Sequence, residues 1–326
     1  MTADPTVSVI LNCYNHEAYV GEAIESVLGQ MFRDLELIII DNGSTDGTRA
    51  VLERYDDPRI RRFFHDENQS LSKRLNEGVA AARGEFVAVL YSDDWMLPDK
   101  LERQVPLLRG LPASVGAVYS PATGFNQRTG KVWQHQSMAK QYATLRTLLQ
   151  NWSEGALDMS SPLTRRECFE RYRWHEDVFS DGEGIFLRVA MHWSLQFDSK
   201  PTVVLRDHGS NMGKAVQRNH DMLMVILDRL ETHADFPNDC TNDLKNFRAD
   251  VCRKHAWSTL RVGGSAVWAR AQLRRAIKLR PRLLTKPRTL AAIGLAALPN
   301  TIRLRLNRLG NRLTDRPENR TFVENY

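Results

Sequence analysis

Length, composition and charge place this chain among ordinary globular proteins. It has 326 residues, of which 42% are hydrophobic and 26% charged, so a disordered, collagen-like or disulfide-scaffold protein is disfavoured. Its net charge of +6 is unevenly distributed, because residues 253–313 contain 15 Lys or Arg and no acidic residue. The sequence therefore predicts a mildly acidic body followed by a strongly basic segment.

The first residues and the cysteines favour a cytoplasmic protein. The opening MTADPTVSVI lacks the basic start and apolar stretch of a secretory signal. The four cysteines form no Cys-x-x-Cys pair, which favours reduced thiols over a zinc cluster or a disulfide framework. The basic segment adds the expectation of a peripheral position on the cytosolic face of a membrane.

The body alternates predicted strands with predicted helices. Short runs of apolar residues predict strands at residues 6–11, 35–40, 60–64 and 85–90. Apolar residues at helical spacing predict helices over residues 20–31, 51–55 and 71–82. Asn15 is the predicted N-cap of the first helix. This alternation predicts an α/β fold, with a mixed, mostly parallel sheet covered by helices on both faces.

Three polar loops are predicted to face one crevice. In an open sheet of this kind, ligands bind beyond the carboxyl ends of the strands, here after residues 11, 40 and 90. Carboxylates gathered there are costly to desolvate, so they indicate a cation or a network of sugar hydroxyls. Neither GxGxxG nor GxxxxGK[ST] occurs in the chain, which disfavours a dinucleotide oxidoreductase or a P-loop enzyme.

Four ordered motifs resemble the family 2 glycosyltransferases, which have the GT-A fold. They are VSVILNCYN at 7–15, AIESVLGQ at 23–30, DLELIIIDNGSTDGT at 34–48, and LNEGV through ARGEF to SDD at 75–94. The close resemblance covers about residues 6–100 and weakens to about 214. We therefore expect a GT-A catalytic domain at 1–215 and a helical, basic C-terminal extension at 216–326.

The resemblance implies transfer of a sugar from a nucleoside diphosphate to an acceptor hydroxyl, with inversion and with Mg²⁺ or Mn²⁺ as cofactor. Asp93 is the best candidate metal ligand, with Asp94 beside it. His208, in the segment that resembles the family's Arg-x-His turn, is expected to complete the metal shell or contact the diphosphate, with a structural role as the alternative. The sequence departs from the family's Asp-x-Asp motif, because its first acidic position is occupied by Tyr91.

The resemblance also assigns residues to the nucleotide. Those expected to bind it are Asn12, Tyr14, Asn15, Asp41 and Ser92. Asp41 suits the imide N–H of uracil or thymine, which favours a UDP- or dTDP-sugar, although a turn role is its alternative. Asp46 is expected to cap a helix rather than bind a ligand.

The general base is expected in the segment that resembles the family's acidic pair. Gly182 occupies the position that usually carries this role, so Asp181 or Glu183 is the candidate, with helix capping as the alternative for both. Arg206 is expected to pair with phosphate, or to form a surface salt bridge. Trp152 is expected either to stack on a sugar of a glycan or lipid-linked acceptor, or to pack in the core.

Two further hypotheses remain open at this stage. Tyr91 and Gly182 together motivate a catalytically silent protein that binds a sugar nucleotide or acts as a scaffold.

In the basic segment, residues 290–298 are too short an apolar stretch to span a bilayer. Residues 302–313 place leucines beside Arg303, Arg305, Arg308 and Arg312. This pattern favours a helix on an anionic membrane surface over a nucleic-acid module, with a solvated or self-associating helix as the alternative.

Overall fold

The structure, a computed structural model, describes residues 4–135, 141–151, 157–182 and 184–313, with side chains in the last helix to Asn307. The strands are β1 (Val7–Cys13), β2 (Leu35–Asp41), β3 (Ile60–Phe64), β4 (Phe86–Tyr91), β5 (Trp95–Met96), β6 (Val115–Tyr119), β7 (Ala122–Asn126), β8 (Val132–Gln134), β9 (Tyr142–Ala143), β10 (Leu163–Arg165), β11 (Ser194–Phe197) and β12 (Val203–Asp207). The helices are α1 (Val20–Leu28), α2 (Thr48–Leu52), α3 (Leu71–Ala81), α4 (Lys100–Arg109), α5 (Leu145–Asn151), α6 (Arg166–Arg171), α7 (Gly184–His192), α8 (Val216–Glu231), α9 (Thr241–Arg261), α10 (Ala266–Leu279), α11 (Pro287–Ala297) and α12 (Asn300–Leu313).

The contacts between residues divide the chain into two units. The first is Met1–Asp207, which contains all the strands listed above, and the second is His208–Tyr326, which is helical where it is described. The boundary predicted from the sequence falls directly before α8, eight residues further along the chain.

The larger sheet has eight strands in the order β3-β2-β1-β4-β10-β6-β11-β9. The first four are parallel, whereas β10 runs antiparallel between β4 and β6. All seven residues of β1 and of β2 are buried, as expected for strands of a sheet covered on both faces. The predicted α/β class with a mostly parallel central sheet is confirmed.

The smaller sheet connects the loop after β4 to strand β12. Its order is β5-β12-β7-β8, with β12 parallel to β7 and antiparallel to β5. Strand β5 begins one residue after Asp94 and pairs through Trp95 with Val204 of β12. The loop after β4 is thereby joined to β12, whose last residue, Asp207, is followed directly by His208.

The predicted N-cap role of Asn15 is wrong. Helix α1 starts at Val20, five residues later, and Tyr19 occupies its N-cap position. Asn15 instead has a positive φ of 52°, which asparagine tolerates better than most residues. Its side-chain oxygen accepts the backbone N–H of Thr45 at 2.8 Å. The residue therefore joins the first and second loops rather than starting a helix.

One hydrophobic cluster of the second unit is rich in alanine. Ala256 and Leu260 of α9 and Ala269 and Leu273 of α10 pack with Ala292 and Ala296 of α11. Alanine at these positions lets the helix axes approach closely. Because alanine is small, each such residue buries little apolar area. Among the helices described, we find none with the length and apolar character needed to cross a membrane.

Candidate active site

The carboxyl ends of β1, β2 and β4 bring the three predicted loops together. Cys13 pairs in register with Asp41, and Asn12 with Tyr91. The loops that follow these residues therefore start from one edge of the sheet, as predicted. Strand β10, which is antiparallel, begins at that same edge, so the segment before Leu163 also lies there.

The second loop is a tight turn built on Asp41. The carboxylate Oδ1 of Asp41 accepts the backbone N–H of Ser44 at 3.1 Å, and the residue is almost fully buried. Gly43 has a φ of +78°, and a Cβ there would lie 2.6 Å from the carbonyl carbon of Glu67. Only glycine fits this position without displacing backbone. The motif around Asp41 thus fixes the shape of the loop, whatever its ligand.

Asp46 holds the start of α2. Its carboxylate accepts the backbone N–H of Thr48 at 3.0 Å and that of Glu17 at 3.1 Å. Burial alone would raise the pKa of Asp46, but the hydrogen bonds from Thr48 and Glu17 lower it below its ordinary value. This geometry agrees with the helix-start role predicted for this residue.

Two of the residues predicted to bind nucleotide, Asn12 and Tyr14, lie at the carboxyl end of β1. The side-chain oxygen of Asn12 is buried and has no hydrogen-bond partner within the described part of the chain. Tyr14 is half-buried in the first loop. Buried polar atoms are normally paired, so the oxygen of Asn12 is a feature that a bound ligand would explain.

The third loop meets the first through a histidine that the sequence reasoning missed. Nδ1 of His16 and the hydroxyl of Ser92 are 2.7 Å apart. The backbone N–H of His16 also donates to the Thr48 hydroxyl, at 2.8 Å. The only sequence signal for His16 is its place beside Asn15 in the first predicted loop.

A His-Asp-His cluster lies at the end of β4. One possible ligand atom from each of His16, Asp93 and His208 lies within 4.8 Å of the other two. His208 is buried, and Asp93 and His16 are half-buried. Two predicted ligands, Asp93 and His208, are thus brought together with one that was not predicted. Two imidazoles and a carboxylate form a donor set that fits a divalent cation.

Asp94, the other predicted ligand, is directed elsewhere. Its carboxylate accepts the backbone N–H of Arg206 at 3.0 Å and the Ser160 hydroxyl at 3.4 Å. Burial, and then the negative charges of Asp93 and Asp158, raise the pKa of Asp94 well above its ordinary value. The structure therefore places Asp94 as a link between the third loop and β12.

Arg206 is enclosed rather than exposed to a phosphate. Its Nε donates to the carbonyl oxygen of Asp93 at 2.9 Å, and its terminal nitrogens donate to Gln127 and Glu22. The guanidinium carbon also lies 4.7 Å from the centre of the Trp95 ring. The contact with the exposed carboxylate of Glu22 is the salt bridge given as the alternative role, although the Arg206 side chain is itself buried. The contacts of Arg206 hold the backbone of the loop that follows β4.

The segment predicted to supply the general base contains a buried ion pair. The carboxylate of Asp181 accepts hydrogen bonds from both terminal nitrogens of Arg188. Its Oδ2 also accepts the backbone N–H of His175 at 2.9 Å. The two side chains are 0% and 4% exposed. Asp181 thus supports the start of α7, whereas Glu183, the alternative, lies outside the described residues, as does Trp152.

Asp158 is a second group that the sequence reasoning missed. It lies in the segment before β10, its side chain is 13% exposed, and its Oδ2 has no hydrogen-bond partner in the described ranges. Burial raises the pKa of Asp158 to about 7. Nδ1 of His135 lies 3.7 Å from the other carboxylate oxygen, but burial lowers the pKa of His135 and so favours its neutral form. A poorly compensated carboxyl group of this kind is typical of functional sites.

Comparison with known proteins gives the family. The model for glycosyl transferase family 2 matches residues 8–173. The putative glycosyltransferase EpsH of Bacillus subtilis (strain 168) is 27% identical over 277 residues, which is 78% of each chain. From the same organism, the putative teichuronic acid biosynthesis glycosyltransferase TuaG is 41% identical over 106 residues, covering 32% of this chain and 42% of TuaG.

A solved structure agrees with the fold. The mannosyltransferase PcManGT from Pyrobaculum calidifontis, in complex with GDP-Man and Mn²⁺, superimposes with a TM-score of 0.59 at 20% identity. The match covers 95% of this chain and 89% of PcManGT. The predicted GT-A fold is thereby confirmed. The chain belongs to glycosyl transferase family 2, and it is a glycosyltransferase.

Proposed function

We propose that this protein transfers a sugar from a nucleoside diphosphate to an acceptor hydroxyl, with inversion at the anomeric carbon and with a divalent metal ion. The observation that supports it most is the His16-Asp93-His208 cluster at the carboxyl edge of the sheet. That edge is where ligands bind in sheets of this topology. PcManGT, which shares the fold, is solved with a nucleotide sugar and Mn²⁺.

The donor's nucleoside would lie across the first and second loops. Asn12 offers its unpaired oxygen, Tyr14 offers a half-buried ring, and Asn15 ties the two loops together. Asp41, at the end of β2, is the proposed partner of a uracil or thymine imide N–H. Because PcManGT is solved with GDP-Man, guanine donors belong beside UDP- and dTDP-sugars in any test.

The metal site would consist of His16, Asp93 and His208. A bound divalent ion would offset the negative charge of the diphosphate leaving group. Mg²⁺ prefers ligand sets made of oxygen, whereas imidazole suits transition metals. Of the two ions considered, the two histidines therefore favour Mn²⁺.

Glu183 is the proposed general base. An inverting transfer needs a group that accepts the proton of the attacking hydroxyl. Asp181 already accepts hydrogen bonds from Arg188 and His175, so its lone pairs are committed to the fold. Glu183 follows it by two residues and directly precedes α7. The proposal thus keeps the predicted segment and selects Glu183 from its two candidates.

Asp158 is proposed to accept a hydrogen bond from the acceptor sugar. It has an unpaired carboxylate oxygen, and it lies in the segment before β10, two residues before Ser160, which contacts Asp94. The acceptor itself would be a glycan or a lipid-linked glycan in surface polysaccharide assembly. The names of EpsH and TuaG, the second of which refers to teichuronic acid biosynthesis, support that class.

Changing Asp158 to asparagine should alter how stability depends on pH. The folded protein keeps the Asp158 proton up to about pH 7, whereas the unfolded chain loses it near pH 4. Between these values the folded state binds more protons, so this residue lowers stability as pH rises, by up to about 1.4 kcal/mol per pH unit. The change in the free energy of unfolding caused by Asp158→Asn should therefore be more favourable at pH 8 than at pH 4.

Denaturant unfolding of both proteins at pH 4 and pH 8 measures this difference. If Asp158→Asn shifts the free energy of unfolding equally at the two pH values, the assigned environment of Asp158 is wrong. If the variant is stabilised at pH 8 and also transfers sugar more slowly, Asp158 is retained for function rather than for folding.

One alternative function is favoured by a specific feature. Gly182 at the usual base position, together with the committed carboxylate of Asp181, suits a protein that binds a sugar nucleotide without turning it over. A thermal-shift screen with Mn²⁺ and UDP-, dTDP- and GDP-sugars tests donor binding, because a ligand specific to the folded state raises the melting temperature. We expect at least one donor to do so. If none does, both the transferase and the silent binder are contradicted.

A further inference from the structure

The outward face of helix α11 is apolar. No charged residue occurs from Thr289 to Asn300. The inward face buries Thr289, Ala292 and Ala296, whereas Leu290 is 54% exposed and Ile293 is 37% exposed. Small residues thus face the core and large apolar residues face outward, which reverses the usual pattern of a surface helix. Gly294 and Ala297 extend the same exposed face.

Basic residues surround this face along the chain. Arg282, Lys286 and Arg288 are exposed in the turn before α11 and at its first residues, and Leu284, also exposed, lies among them. After α11, Ile302 and Leu306 of α12 are 44% and 46% exposed, with Arg305 between them. Exposed apolar side chains interleaved with cations and without anions are the pattern of an interfacial helix.

The structure changes which part of the basic segment carries this property. From the sequence, Arg303 was grouped with the arginines of α12 that would meet a membrane. Arg303 is instead 3% exposed, and it donates to the carbonyl oxygen of Gly264 and to Asn300, each at 3.1 Å. That arginine is not available to a membrane, and the side chains of Arg308 and Arg312 lie outside the described part. The exposed apolar face is therefore mainly that of α11.

We propose that the outer face of α11 rests in the headgroup region of an anionic lipid bilayer, with Arg282, Lys286 and Arg288 contacting the lipid phosphates. An 11-residue helix is about 16 Å long, so it can lie in the interface but cannot span the hydrocarbon core. The attachment does not depend on the proposed reaction.

Charge favours a membrane over a second copy of the chain as the occupant. Residues 253–313 carry 15 basic and no acidic side chains. A symmetric contact through α11 would bring two such segments together, and like charges at an interface are costly. An anionic surface instead attracts each basic residue near it, and salt weakens that attraction.

The test measures co-sedimentation of the full-length protein with two kinds of vesicle, one of phosphatidylcholine alone and one containing phosphatidylglycerol. We expect binding to the anionic vesicles that weakens with rising salt, and little binding to the neutral ones. The double variant Leu290→Ser with Ile293→Ser should weaken binding by about tenfold or more. It removes the favourable free energy of moving two apolar side chains from water into the membrane interface. Both are exposed, so the melting temperature should change little.

Val225→Ser is the matched control, since Val225 is an exposed apolar residue of α8 (42% exposed). It should bind vesicles like the wild type. Equal binding by the α11 variant and the wild type would overturn the proposal. A second result would also overturn it: the wild type is a dimer in light scattering and binds no vesicles, and the α11 variant is a monomer. In that case α11 would contact a second copy of the chain. Turnover of a soluble donor is measured on the same samples, so loss of catalysis and loss of attachment are separate outcomes.

Discussion

Replacing Asp93 with asparagine should reduce sugar transfer by about 10³-fold or more, because several kcal/mol of charge stabilisation on the leaving diphosphate is lost. Asparagine keeps the size of the side chain but removes its charge. Binding of the donor should also lose its dependence on Mn²⁺. The measurement is initial-rate release of the nucleoside diphosphate over a series of Mn²⁺ concentrations.

Asp94→Asn is the informative comparison for Asp93. Its carboxylate faces Ser160 and the backbone of Arg206, so the variant should keep an ordinary response to Mn²⁺. If Asp94→Asn abolishes metal dependence and Asp93→Asn does not, the ligand assignment is reversed. If both variants behave like the wild type, neither carboxylate binds the ion.

Asp181→Asn should destabilise the fold by about 3–5 kcal/mol, because it leaves the buried Arg188 guanidinium without its counter-charge. Denaturant unfolding measures this loss. The double variant Asp181→Asn with Arg188→Met should recover part of the stability, since removing both charges of a buried pair costs less than removing one.

Glu183→Gln provides the contrasting result. If Glu183 is the general base, the variant should lower turnover by about 10²-fold or more while the melting temperature and donor affinity change little. An Asp181→Asn protein that unfolds like the wild type but turns over slowly would return the base role to Asp181. That result would also show that the ion pair contributes little to stability.

The fold could be predicted from local sequence because its first half is built from local signals. Each of β1, β2 and β4 is a short apolar run between polar turns, and the rule for parallel sheets places their loops at one edge. Strand β10 could not be placed in this way. Its pairing of Leu163 with Ala88 is a long-range contact. The local hydrophobic pattern of a strand does not indicate which distant strand it pairs with. Asp158 was missed for that reason.

The site was predicted in part because sequence shows which groups are charged and not which groups they contact. Asp93 and His208 lie together as expected. The family resemblance makes Arg206 and Asp181 candidates for a phosphate contact and a general base, but it does not show that the fold pairs them with Glu22 and Arg188. His16 is an isolated histidine in a loop, and no spacing rule identifies such a residue as a ligand. Asn15 resembled a helix cap because an amphipathic stretch followed it.

The measurement that tests the central claim most directly is turnover of a sugar nucleotide by the full-length wild-type protein, with Mn²⁺ and with EDTA. The donor is one that raises the melting temperature, and the product followed is the nucleoside diphosphate. The proposed function predicts release well above the rate without protein, loss of that release in EDTA, and its return when Mn²⁺ is added back. Binding of the donor without release, under every metal condition and with glycan acceptors present, would contradict it.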